Sequence, residues 1–514
     1  MPSFIGAIDN GTTSSRFLIF DENGELVIGD QLEYRQYYPH PGWVEQDAMD
    51  ILDSVVSCIK GALRKFELQG YHISDLKGIG ITNQRETTIV WDRETGRPLH
   101  HAIVWSDVRT KGVVKQLSEK TDKGADILKD VCGLPITTYF SAVKLRWLLD
   151  NVPAVKQAHE NGTLMFGTVD SWLIYNLTGS IDGGVHVTDV TNASRTMLMD
   201  LRKLNWCEQA LEFFGVRREI LPEIKPSSTL FGKVKIHAIP DLRGLPITGC
   251  LGDQHAALVG QQCFEVGEAK NTYGTGCFMV FNTGTEVIPS NNGLLTTVGY
   301  QFEGEPAAYA LEGSVAVAGS AVKWLRDNMN IIRSAEEIND LAEKVEDSAG
   351  VVFVTAFSGL FAPYWRPEVR GCILGLTQHT TKHHLARATL EATCFQTRAI
   401  LEAMNADSGK DLKNLRVDGG LSNSDICMQM QADILGIEVA RPQMRESTAL
   451  GAATAAAIYL DVGMWKGGFK AFSQRCKDHK DALQIFSPNI SANERNTRYE
   501  LWQRAVESSF TFIE

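Results

Sequence analysis

Asp9-Asn10-Gly11-Thr12-Thr13-Ser14-Ser15-Arg16 lies between two apolar runs, Phe4 to Ile8 and Phe17 to Phe20, and the second run leads into Asp21-Glu22-Asn23-Gly24. The pattern reads as strand, tight turn, strand and a second turn at Asn23-Gly24. Glycine lets backbone approach a ligand closely, and hydroxyls and free N–H groups donate to phosphate oxygens. An aspartate among them repels phosphate directly. It fits where a divalent cation takes carboxylate and phosphate oxygens together. The stretch therefore reads as a nucleotide-phosphate hairpin, although ordinary polar turns use the same residue types.

The rest of the chain suits a large α/β protein. Its 514 residues exceed a single core, so two domains are expected. Apolar content of 44% and charged content of 22% match globular proteins. A net charge of -12 argues against a nucleic-acid binder. The ten cysteines show no C-x-x-C pair and no zinc spacing. With no signal peptide recognisable, reduced thiols and a cytoplasmic location are expected. Ala449 to Leu460 is too short and too alanine-rich to span a bilayer and reads as a buried helix, so no membrane segment is expected.

Strand-like runs alternate with helix-like ones, which indicates α/β layers. Strands are expected at Gly78–Thr82, Thr87–Trp91, Leu164–Gly167, Pro246–Gly249, Cys277–Asn282, Ala307–Leu311, Val351–Val354 and Leu415–Val417. Helices are expected at Ala48–Phe66, Ala142–Asn151, Val315–Asn328, Lys382–Met404, Asp425–Leu435 and Ala449–Val462. The strand, glycine/hydroxyl turn and strand around Gly11 recur at Asn271-Thr272-Tyr273-Gly274-Thr275-Gly276-Cys277-Phe278. Two related domains with nucleotide between them follow, divided near Gly260 to Gly267 into residues 1–260 and 261–514.

Three further stretches carry chemistry. Val417-Asp418-Gly419-Gly420 ends a strand before a helix, where paired glycines admit a flat ring or a phosphate. Asp253 follows a short strand and opens an alanine-rich helix. It reads either as a helix cap or as a general base facing a hydroxyl. His255, two residues on, reads as structural. Asn83-Gln84-Arg85-Glu86 leaves the strand Gly78–Ile81 with donors and acceptors side by side, as a small polyol requires. Arg85 and Glu86 share a face only if the backbone turns there. A solvated loop with a surface ion pair is the alternative.

These motifs together resemble the FGGY carbohydrate kinase family of the actin-like ATPase superfamily. Tyr139-Phe140-Ser141-Ala142-Val143-Lys144-Leu145-Arg146-Trp147 and its continuation to Asn151 fit one family signature, and Gly371 to Leu376 through His384-Leu385 to Glu391 fits the other. Asn83 to Thr88, Gly167 to Leu173, Thr188 to Met197, Lys270 to Phe278 and Phe357 to Trp365 resemble the glycerol-phosphorylating members in particular. The resemblance runs from Phe4 to about Trp465 and implies an α/β fold of two RNase-H-like domains around a central cleft.

By that resemblance, Arg85, Glu86, Tyr139, Asp253 and Gln254 bind the glycerol hydroxyls, and Trp105 and Phe278 cover the carbon edge. Thr12, Thr13, Ser14, Arg16 and Thr275 face the phosphates of ATP, and Gly319 and Gly420 line the nucleotide. Asp9 and Asp253 hold Mg²⁺ through water. Asp253 and Arg16 are the catalytic pair. The product is sn-glycerol 3-phosphate, and a homodimer or homotetramer is implied. Another sugar kinase of the family, or a catalytically silent nucleotide binder, is the alternative. The bulk of Trp105, Tyr139 and Phe278 favours the three-carbon polyol over the first.

Two departures stand out. The position four residues after Gly420, commonly Asn in the family, is Ser424. Members inhibited by fructose 1,6-bisphosphate carry a glycine-rich loop ending in arginine, whereas Lys235 to Arg243 here contains no glycine. Inhibition by that sugar is therefore expected to be weak or absent, and a kinetic titration at millimolar effector checks it.

Overall fold

The apolar runs flanking Asp9 form the centre of a sheet. In the computed structural model, which describes residues 2–478 and 483–511, β1 (Phe4–Asn10) is buried along its whole length. It pairs antiparallel with β2 (Ser14–Phe20), and β2 with β3 (Leu26–Glu33). On its other side β1 runs parallel to β4 (Leu76–Asn83). Two more strands, β5 (Ser228–Lys233) and β6 (Pro246–Gly252), complete a six-stranded sheet in the order β5-β6-β4-β1-β2-β3.

The second domain repeats this plan. β7 (Ala269–Tyr273) forms a hairpin with β8 (Cys277–Gly284), which pairs onward with β10 (Ala308–Val315) beside β9 (Leu295–Tyr300). β7 also runs parallel to β11 (Asn414–Asp418), followed by β12 (Glu438–Pro442) and β13 (Leu483–Phe486), giving seven strands. Each domain thus has a hairpin whose first strand is flanked by a parallel partner. This is the architecture behind the recurrence seen in the sequence.

The principal helices are α1 (Ala48–Leu68), α2 (Ser141–Asn151), α3 (Asp253–Gly260), α4 (Gly319–Asp327), α5 (Lys382–Ser408), α6 (Asp425–Leu435) and α7 (Ser447–Leu460). α1 starts where Asp47 accepts a hydrogen bond from the Met49 N–H, as an N-cap aspartate does. It buries Ile51, Val55, Ile59, Leu63 and Phe66, spaced three to four apart, on the first sheet. α7 is alanine-rich and apolar all round, as suits a helix enclosed by protein. It packs with α3 and the β1–β4–β6 face, so a helix from late in the sequence joins the first domain's core. Among the described residues no helix is long and apolar enough to cross a membrane, and the ten cysteines form no disulfide with one another.

Three expectations change in detail. The hairpin turn holds only Gly11, Thr12 and Thr13; Ser14 to Arg16 already belong to β2, so alternate residues face opposite sides. The helix expected from Val315 starts at Gly319, because Val315 still pairs with Cys277 in the sheet. The strand expected at Thr87–Trp91 is Ile89–Asp92, a ribbon with Leu164–Gly167 outside the main sheet.

Candidate active site

Parallel strands deliver the charged residues of the first domain to one edge. Asp9 and Asn10 stand beside Thr82 and Asn83 in register, and Gly252 stands on the other side of Asn83. The chain therefore leaves β4 into Gln84-Arg85-Glu86 and leaves β6 into Asp253 at the same level as Asp9. Open α/β sheets bind ligands at such carboxyl-terminal edges. Glu86 takes φ 59°, the turn that lets it stand beside Arg85. Its carbonyl is held by the Ser141 hydroxyl at 2.9 Å, at the first residue of α2.

A cavity of about 130 Å³ opens at this edge. Arg85, Glu86, Asp253 and Gln254 supply its polar wall, and Trp105, Tyr139 and Phe278 its apolar one. Thr12, Thr275 and Gly276 close the side toward the two hairpins. The Trp105 ring meets Tyr139 at 5.6 Å and Phe278 at 6.0 Å, both edge-on. Its indole N–H donates to Thr12 Oγ1 at 3.0 Å, tying the aromatic wall to the first hairpin.

Behind the polar wall lies a buried charge network. Both Nη groups of Arg85 donate to Glu312 of β10, Nη2 at 2.9 Å. Arg195 donates from Nε to Glu86 at 2.6 Å and from Nη2 to Glu312 at 3.2 Å. Arg85 Nε lies 3.2 Å from Asp253 Oδ1 without hydrogen-bond alignment, so this N–H has no bond of its own. Burial raises the Asp253 carboxyl above the ordinary aspartate range; Arg85 and Lys270 offset part of this, and Asp9 adds to it. Gly252, rather than Asp253, is the helix cap, although Asp253 Oδ1 accepts the Gln254 N–H at 2.7 Å. Lys270 donates to Gln254 Oε1 and, at 2.8 Å, to Thr272; burial pushes its amine down to about 8. A lysine can only donate, so Gln254 turns its acceptor end toward Lys270. His255 is fully buried, with Nε2 3.4 Å from the Thr297 hydroxyl, away from the cavity lining.

The remaining predicted residues divide. Thr12 and Thr275 meet at the cavity, whereas Thr13 is exposed on the turn and Ser14 accepts from Gln31 on β3. Arg16 bridges two carboxylates, Asp9 at 2.6 Å and Glu446 at 2.6 Å. Burial raises the Asp9 carboxyl; Arg16 opposes this and Glu446 reinforces it. Gly319 opens α4 directly on the second hairpin, and its N–H donates to the Gly274 carbonyl at 3.0 Å. A Cβ there would lie 2.5 Å from that oxygen. Of the paired glycines, Gly419 has φ 86° and packs on the Tyr273 backbone, whereas Gly420 is exposed with open space around it. Ser424 caps α6 by accepting the Cys427 N–H and donates to Asn339 at 2.6 Å.

The model of the FGGY family of carbohydrate kinases matches in both its parts, the N-terminal domain over residues 4–260 and the C-terminal domain over residues 269–460. The chain belongs to this family. Among curated relatives of this FGGY chain, the glycerol kinase of Pseudarthrobacter chlorophenolicus is 51% identical over 514 residues, covering 100% of this chain and 99% of the relative. That of Roseiflexus sp. strain RS-1 is 50% identical and covers 100% of both. The Plasmodium falciparum glycerol kinase solved with ADP superposes with a TM-score of 0.90 at 38% identity, over 100% of this chain and 99% of that one. A gluconate kinase from Lactobacillus acidophilus shares the fold, with a TM-score of 0.84 at 21% identity over 99% and 98% of the two chains.

Four participants escaped the sequence reading. Arg195 and Lys270 stand inside motifs that carry the resemblance, but without a role. Glu312 and Glu446 carry no local signal beyond being charged residues in or beside apolar runs. A charged residue within a buried strand needs a partner, and that was the available clue for Glu312 in Tyr309-Ala310-Leu311-Glu312.

Proposed function

We propose that this chain transfers the γ-phosphoryl group of ATP to glycerol, giving sn-glycerol 3-phosphate and ADP. The observation that carries the reading is the small cavity with Arg85, Glu86, Asp253 and Gln254 on one wall and three aromatic rings on the other. A three-carbon polyol has hydroxyls on one edge and C–H groups on the other. Residues 1–260 supply the polyol wall apart from Phe278 and the first phosphate hairpin, and residues 261–514 supply Phe278 and the nucleotide side.

In this mechanism Asp253 accepts the proton of the attacking hydroxyl. Its raised carboxyl suits a proton acceptor that works late, as the oxygen bonds to phosphorus. Arg85 and Gln254 donate to the hydroxyls and Glu86 accepts from them. Trp105 and Phe278 exclude water, a competing nucleophile, from the reacting oxygen. Arg16 swings from its bridge between Asp9 and Glu446 toward the phosphates, with Thr12, Thr13, Ser14 and Thr275 as donors. Asp9 and Asp253 fit a magnesium ion: both are hard oxygen donors beside the cleft, and burial raises both carboxyls, with Glu446 adding to the rise at Asp9 and Asp9 adding to it at Asp253. When bound, the ion supplies positive charge against the phosphate oxygens.

ADP release with Mg·ATP, measured with glycerol, xylitol, xylulose, ribulose, gluconate and dihydroxyacetone, tests the reading. Turnover on glycerol far above the larger compounds is expected, and preference for a pentulose or gluconate overturns it. In the same assay Trp105→Ala is expected to raise the glycerol KM by about tenfold, as loss of apolar cover on a small ligand does. It should also narrow the preference over xylulose. Unchanged selectivity in that variant would remove Trp105 from the pocket wall.

A further inference from the structure

We propose that Glu312 is a positioning residue that sets two of the charged members of the polyol wall, Arg85 directly and Glu86 through Arg195. The inference rests on the polyol reading of the cavity but assigns a residue outside it. Glu312 does not line the cavity and is fully buried on β10 of the second domain. Its two carboxylate oxygens take separate Nη groups of Arg85, a bidentate fork that fixes the plane of the guanidinium. The same Oε1 accepts from Arg195 Nη2 at 3.2 Å, and Arg195 Nε holds Glu86 at 2.6 Å. Burial alone would raise the Glu312 carboxyl, but Arg195 and Arg85 outweigh it and hold the group well below the usual carboxylate range.

The arrangement has two consequences. With both Nη groups occupied, Arg85 has only Nε uncommitted, and this atom lies near Asp253 of the cavity wall without bonding it. Without Glu312, the fork of Arg85 would turn to the nearest other carboxylate, Asp253, and bind the oxygen needed by the substrate. The anchor also belongs to the opposite domain. Glu312 pairs with Val280 on β8, two residues from Phe278, so one strand pair supplies both the anchor and part of the aromatic wall. The polyol wall is therefore complete only when the second domain's sheet stands against the first.

The experiment compares Glu312→Gln with the charge-balanced double variant Glu312→Gln/Arg195→Gln by steady-state kinetics and thermal melting. Glu312→Gln is expected to raise the glycerol KM about 10- to 100-fold, the size of a lost charge-assisted hydrogen bond, with the KM for Mg·ATP within about twofold. The double variant is expected to regain melting temperature toward the parent while its glycerol KM stays high, because balancing charge does not restore the fork. Should the single variant not fold, the double variant carries the test. An unchanged glycerol KM, equal rises in both KM values, or recovery of glycerol KM in the double variant would reduce Glu312 to a structural ion and overturn the proposal. Parent turnover tests the functional reading separately, since variants are compared on whichever polyol the parent phosphorylates.

Discussion

Replacing Asp253 by asparagine is expected to lower kcat by roughly 10²–10⁴-fold, the usual size of a general-base effect. The amide keeps the shape of the side chain and can keep the acceptor that receives the Gln254 N–H at 2.7 Å. It loses the proton acceptor. The local charge also changes, because Arg85 Nε, 3.2 Å away, no longer faces a carboxylate. Glycerol binding should suffer far less than kcat, since Glu86 and Gln254 remain. The measurement is kcat and the glycerol KM under saturating Mg·ATP, with Mg·ADP affinity as a check on the proposed cation contact. If the nucleotide binds normally and kcat falls by the expected factor, the loss lies in proton transfer. A kcat close to that of the parent would remove Asp253 from the reaction.

Legibility in the sequence follows the distance over which each contact is made. The Asp9 hairpin, the Arg85-Glu86 turn and the Asp253 helix start are local: a few consecutive residues determine strand, turn and cap, so they can be read without the fold. A turn at Glu86 follows from the need to bring two successive side chains to one face, and the structure makes it with a positive φ. The charge network was not legible, because Arg85 and Glu312 stand 227 positions apart. Nothing in either neighbourhood names the other. The same holds for Arg16 and Glu446, 430 positions apart, which alters where the catalytic-candidate arginine rests. The turn around Gly11 was read too long because serine and threonine suit both turns and strand edges. Only pairing shows that Ser14 to Arg16 are strand, Ser15 and Arg16 with β1 and Ser14 with Glu33 on β3. The path of α7 was half legible. Its alanine content marked it as buried, but the first domain's sheet as its partner is a property of the assembled chain.

That packing makes Gly451→Ala the substitution with the largest expected effect on stability. α7 crosses α3 so closely that a Cβ at Gly451 would lie 1.8 Å from the Ala256 carbonyl oxygen and 2.5 Å from its carbon. Both are backbone atoms, so no side chain can rotate away and the helices must part. The reverse contact is equally tight, since a Cβ at Gly260 would meet the Ser447 carbonyl oxygen at 1.9 Å. Under α7 the sheet approaches as well, with a Cβ at Gly80 lying 2.0 Å from the Ala452 carbonyl oxygen. Overpacking of this kind costs about 3 kcal/mol. α3 begins with Asp253 and Gln254, so displacing it also moves the proposed base. A shift of about 1 Å at a reacting group can cost on the order of 10²-fold in rate. Gly451→Ala is therefore expected to lower both melting temperature and kcat. The control is Gly112→Ala, in the exposed helix Lys111–Ser118, where a Cβ meets nothing within 4 Å. There alanine should be neutral or slightly stabilising, because it removes only unfolded-chain freedom. If Gly451→Ala melts with the control and keeps its kcat, the α3–α7 crossing does not fix the position of Asp253, and the coupling between the buried helix pair and the site is lost with it.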